Sequence, residues 1–102
     1  MKRYLGTRGA SGCDVCVEDE GRRYPLRHVV RHSPDGFEWG YGGSGPADLA
    51  LSILTDAAGP ETAERWYMQF KWQVISRLAR VAWELTEQQV RDWLKQRQGG
   101  RG

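Results

Sequence analysis

The chain is poor in the residues that announce a chemistry. Among its 102 residues are 2 cysteines and 2 histidines. So few cysteines in a chain of this length exclude a disulfide scaffold. No apolar run approaches the roughly 18 residues of a membrane span, so no membrane partner is expected. Met1-Lys2-Arg3-Tyr4 leads into no signal-peptide apolar region, and the reading is a soluble, cytoplasmic protein. An excess of one charge is missing too. Fifteen basic against 13 acidic residues leave +2, too weak to demand a nucleic-acid partner. No internal repeat is present.

What the chain does have is glycine in one place. Gly36-Phe37-Glu38-Trp39-Gly40-Tyr41-Gly42-Gly43-Ser44-Gly45-Pro46 joins an aromatic segment to a glycine-rich turn and then to a helix opening near a proline. Each glycine adds chain entropy that folding must overcome, so the backbone there does something specific. A glycine turn feeding a helix N-terminus presents free N–H groups and a positive dipole end, the elements of an anion site. The spacing fits neither a P-loop nor a dinucleotide fingerprint. Asp48 would repel an anion and Pro46 removes a donor. The favoured reading is therefore that these glycines shape the main chain.

The remaining pattern predicts one α+β domain over residues 1–97, a small antiparallel sheet of three to four strands followed by three helices packed on one face, with 98–102 as a flexible tail. Arg3 to Gly6 and the alternating Cys13–Glu18 stretch read as strands, followed by a Glu20-Gly21 turn into Arg22-Arg23-Tyr24. Leu26 to Arg31 reads as extended, and Phe37–Tyr41 as a strand with Phe37, Trp39 and Tyr41 on one face. The first helix has Gly45 or Ser44 as its cap, Pro46 at its first position, and Leu49, Ala50, Ile53 and Leu54 as its buried stripe. Pro60 opens a second, whose apolar face runs Ala63, Tyr67, Phe70, Val74, Leu78, Val81. Thr86 and Gln89 form a capping box for a third, with Leu85 and Val90 as a hydrophobic staple.

Cys13-x2-Cys16 and His28-x3-His32 have 11 residues between the pairs, one fewer than the usual zinc-finger spacing. On an extended 26–32 segment the two histidines stand roughly 13 Å apart, too far for one tetrahedral ion. No metal and no other cofactor is assigned. Ser44 in Gly-Gly-Ser-Gly-Pro has the outward form of a nucleophile elbow, but that motif needs a central sheet and partner residues. No catalytic residue is assigned.

The segment GFEWGYGGSGPADLALSIL resembles the signature of a family of small proteins of unknown function from bacteria and their phages. Phe37, Trp39, Gly40, Tyr41, Gly42, Gly43, Ser44, Gly45, Pro46, Leu49, Ala50 and Leu51 carry the match. The resemblance supplies no catalytic residues. It implies a context of mobile genetic elements, in which small standalone domains modulate host machinery, anti-CRISPR and other anti-defence inhibitors among them. The expected role is a non-enzymatic interaction protein bound to a host or phage protein complex. Trp72, off the second helix's apolar stripe, and Arg65, Arg77 and Arg80 supply the interface. Two alternatives stand beside it. One is a nucleotide or phosphate ligand at the turn, with Trp39 and Tyr41 stacking and Gly43, Ser44 and Gly45 facing the phosphate. The other is nucleic acid along the arginines and the C-terminal tail.

Overall fold

The computed structural model describes residues 1–98. Strands β1 (Arg3–Gly9), β2 (Gly12–Asp19) and β3 (Arg22–Pro25) form a meander. Helix α1 (Ser44–Ala58) follows a long irregular segment, and α2 (Pro60–Gln73) follows directly. A 3₁₀ turn (Ile75–Arg77) leads to β4 (Ala82–Thr86) and α3 (Glu87–Gln98). The sheet is antiparallel, in the order β3-β2-β1-β4. The tail expected at 98–102 lies, beyond Gln98, outside the described residues, and Gln98 itself ends α3.

Period-2 alternation sends Tyr4, Val15, Val17 and Trp83 to one sheet face, where they are buried. Leu49, Ala50, Ile53 and Leu54 of α1 have no exposed surface and share that core with Ala63, Phe70, Val90 and Leu94. The opposite face carries charge. Arg3 pairs with both Glu18 and Glu84, and Glu18 also accepts from Arg23. The mixed α+β class and its sheet-and-helix composition are as the pattern predicts.

Three expectations about individual elements fail, and each for a tertiary reason. Phe37–Tyr41 forms no strand, and Leu26–Arg31, read only as extended, stays outside the sheet. Their backbone groups find other partners: the Val29 amide donates to Ser52 Oγ and those of Arg31, His32 and Ser33 to Asp48, all on the side of α1. The second helix stops at Gln73 rather than running to Val81. The apparent helical spacing of Leu78 and Val81 masks a strand, because residues 82–86 complete the open edge of β1. Finally, α1 is capped by Gly43, and Pro46 is its third residue instead of its first.

Local signals were accurate where they act over a few residues. The Thr86 hydroxyl accepts from the Gln89 amide at 3.0 Å and the Gln89 side chain accepts from the Thr86 amide at 2.9 Å, a complete capping box. Gly59 ends α1 with φ +94° and also caps α2, so two helices reverse on a single residue.

Gly6 has a packing role. Opposite Trp83 in the β1–β4 register, it lets the indole lie on bare backbone, and a Cβ there would fall inside the ring. Gly6→Ala should therefore lower stability by about 1–3 kcal/mol through overpacking. Gly9→Ala, which meets nothing within 4 Å, should stay within about 0.5 kcal/mol of wild type. Urea denaturation of the pair checks this.

Candidate functional site

The irregular segment 26–43 is held by one carboxylate. Asp48, in the second turn of α1, is fully buried. Its oxygens accept from the amides of Arg31 (3.2 Å), His32 (2.8 Å) and Ser33 (3.0 Å), and from His28 Nε2 at 2.8 Å. A carboxylate only accepts, so His28 carries its proton on Nε2. Burial alone would push the Asp48 carboxyl up; His28 and the amides outweigh it and hold the group below the usual aspartate range. Neighbouring contacts continue the clamp. His32 Nε2 meets the Tyr67 hydroxyl at 2.9 Å, and Arg31 makes a two-pronged pair with Glu64 at 2.6 and 2.8 Å. His28 also packs on Phe37, with ring centroids 4.5 Å apart.

This accounts for both histidines without a metal. Cys13 and Cys16 project from opposite faces of β2, so the four residues of the zinc-like spacing do not converge. Among the described residues, no group of three or more His, Cys, Asp or Glu side chains is placed to hold a metal ion. The hydroxyls near His28 and Asp48 serve the backbone: Ser33 Oγ donates to the Gly36 carbonyl and Ser52 Oγ accepts from Val29.

Beyond the clamp the chain enters the core and leaves it again. Trp39, offered by the sequence as a stacking surface, is completely enclosed. Its indole N–H donates to the Arg80 carbonyl at 3.0 Å, its ring meets Trp83 edge-on at 5.4 Å, and Arg8 lies 5.1 Å over it. Burial leaves this ring no face for a ligand. Arg8 also donates to the Arg80 carbonyl and pairs with Glu38, tying β1 to the loop and to the segment that precedes β4.

The glycines then carry the chain past two aromatic rings. The Trp72 ring lies on Gly42 and the Tyr41 ring on Gly43, each close enough that a Cβ would overlap it. Trp72 is 55% exposed and Tyr41 48%. Met68, one turn before Trp72 on α2, is 44% exposed and extends the apolar surface. Arg80 packs its Cγ beside Gly40. The structure thus gathers Tyr41, Gly43, Trp72 and Arg80 around the loop. Ser44 is the exposed first residue of α1 and Gly45 is buried behind it. Arg77 is exposed in the 3₁₀ turn, and Arg65 is exposed two turns before Trp72 on α2.

Arg65, Arg77 and Arg80 make no ion pair among the described residues, although Glu18, Glu38, Glu64, Glu84 and Glu87 are all taken by cations elsewhere. Sequence reasoning missed Lys71 here. Next to Trp72, it is only 6% exposed, and its ammonium lies 4.5 Å from that ring's centre. The Ala63–Tyr67–Phe70 stripe runs on through position 71, and that continuation was the available signal.

These features define a small α+β domain with an ordered glycine loop and an aromatic, basic rim. The chain belongs to a family of unknown function (DUF6166), whose model matches residues 4–96. No curated protein and no solved structure matches it.

Asp48 carries a pH dependence of known sign. Its folded pKa lies below the unfolded value, so its contribution is present above about pH 4 and is lost as pH falls through the folded value. Asp48→Asn should cost about 1.5–3 kcal/mol at neutral pH and show a flatter loss of stability in acid. Chemical denaturation of both proteins across the acid range measures it. In a second test, Gly42→Ala should displace the Trp72 ring and shift its fluorescence while Gly9→Ala does not.

Proposed function

We propose that this chain is a non-catalytic binding domain whose docking surface is the Trp72–Tyr41 pair with the arginines around it. One observation carries the reading: Tyr41 of the loop and Trp72 of α2 are both half-exposed, each ring lying against a glycine of the loop. Exposed hydrophobic residues scattered singly need no explanation, but a contiguous patch rimmed by cations is the composition of a protein interface. Arg65, Arg77 and Arg80, without carboxylate partners among the described residues, fit a partner with acidic groups at the rim.

The partner class follows from the resemblance to bacterial and phage proteins: a host or phage protein complex, with inhibition of a defence system, anti-CRISPR activity included, as the biological role. No helix among the described residues is long and apolar enough to cross a membrane. Nucleic acid is the second reading, because the same unpaired arginines would also face phosphates.

Trp72→Ala and Tyr41→Ala should leave thermal stability nearly unchanged, since both rings are half in solvent. Each should weaken partner binding by about 2 kcal/mol or more if it is an interface anchor. Affinity capture from a bacterial lysate with wild-type and variant baits, followed by titration of the captured protein, tests this. A captured species whose affinity ignores both substitutions overturns the docking surface. Loss of binding that tracks salt steeply and is abolished by nuclease assigns the partner as nucleic acid instead.

A further inference from the structure

We infer that the pocket between residues 27–29 and the second half of α1 binds a small carboxylate bearing an amino or hydroxyl group on its α-carbon. Arg27, Val29, Ser52, Thr55 and Asp56 line this pocket, whose volume is about 250 Å³. None of the five belongs to the aromatic docking surface, so the two sites are separate. The volume falls below the roughly 300–1,000 Å³ of pockets for drug-sized ligands, which sets the occupant at only a few heavy atoms.

Each polar group in the lining keeps part of its bonding capacity unspent. Asp56 Oδ2 accepts from the Tyr4 hydroxyl at 2.7 Å and from Lys2 Nζ at 3.1 Å. Tyr4 is fully buried, and burial, reinforced by Asp56, drives its phenol well above the usual tyrosine range, so it keeps its proton. Asp56 Oδ1 accepts from no group among the described residues. Ser52 is 1% exposed; its Oγ accepts from the Val29 amide at 2.9 Å, and its own proton goes to no acceptor among the described residues. Thr55 is the reverse case: its Oγ1 donates to the Leu51 carbonyl at 2.7 Å and retains its lone pairs. Arg27 is exposed and makes no hydrogen bond or ion pair among the described residues, although Asp56 lines the same pocket.

These groups are mixed in kind, and the mixture defines the ligand. Arg27 and the Ser52 hydroxyl are donors, Asp56 Oδ1 and Thr55 Oγ1 are acceptors, and Val29 is the apolar wall. Lys2 already offsets the Asp56 charge, so Arg27 is the uncompensated cation of the site and selects an anionic group. Its planar fork matches a carboxylate in two-pronged geometry. A carboxylate such as Asp56 only accepts, so the ligand must also bring a hydrogen to it. An amine or hydroxyl one carbon from the ligand's carboxylate meets both demands within the available volume. A plain carboxylate leaves Asp56 and Thr55 unmatched, and a plain amine leaves Arg27 unmatched. Amino and hydroxy acids share the required chemistry, and the experiment separates them.

The test is an amide-resolved NMR titration of the full chain at neutral pH and constant ionic strength with L-alanine, L-lactate and propionate. The three differ only in the α-substituent: ammonium, hydroxyl or hydrogen. Saturable shifts of the Arg27, Val29, Ser52, Thr55 and Asp56 amides are expected at millimolar alanine or lactate, with propionate weaker by about fivefold or more. Tighter alanine assigns an amino acid, tighter lactate a hydroxy acid, and equal affinities a pocket that takes either. Arg27→Gln should weaken binding by about tenfold or more. Arg22→Gln, which removes the same charge from an exposed β3 position outside the pocket, should leave it unchanged. Absence of shifts at tens of millimolar of all three ligands overturns the site, as does propionate binding as tightly as the other two. Unchanged affinity in Arg27→Gln, or an equal loss in both arginine variants, overturns it as well. Should Arg27→Gln fail to fold, the ligand series on the wild-type chain decides by the same criteria.

Discussion

The buried carboxylate of Asp48 is the constraint on which the middle of this molecule depends. Eighteen residues separate β3 from α1, from position 26 to position 43, with no regular structure to satisfy their backbone groups. Such a segment is normally confined to the surface, because buried peptide groups without partners are costly. Asp48 removes the difficulty at the tightest point by accepting from Arg31, His32 and Ser33 together. Ser52, one helical turn further along α1, does the same for Val29. The helix therefore serves as the template for the loop, and the loop in turn shields the helix's polar residues from water.

That arrangement fixes everything downstream. With residues 28–33 pinned to α1, Trp39 enters the core between Arg8 and Trp83, and the chain must emerge within a few residues to start the same helix. Only backbone without side chains passes Trp72 and Tyr41 at that distance. The glycines thus answer a steric demand set by the Trp72 ring of α2 and the Tyr41 ring of the loop itself. The result is one surface of half-exposed rings with Arg80 packed beside the loop.

The order in which structure was readable follows the range of the interactions. The Thr86–Gln89 box, the Gly59-Pro60 reversal and the buried stripe of α1 all rest on contacts within four residues and were legible. The fourth strand was not, because its pairing partner is β1, some 80 positions earlier, and Leu78 and Val81 extend the helical spacing of α2 by coincidence. Of the site, Tyr41, Trp72 and the glycines could be picked out as unusual, whereas Trp39 looked equally available and is enclosed. Lys71 was marked only by its place on the Ala63–Tyr67–Phe70 stripe, a weak signal because a lysine at the end of a helix is ordinarily solvated. Asp48 looked like an obstacle to anions until its four donors were visible.

Composition and short-range pattern alone determined the class of this protein, its helix boundaries where caps and glycines set them, and the place where the main chain is unusual. They determined this because propensity, capping and amphipathic period are properties of neighbours along the chain. Which aromatic ring faces water and which carboxylate is spent on amides were decided only when residues 15 to 85 positions apart came into contact. Burial and pairing belong to the packed molecule, and no stretch of sequence carries them by itself.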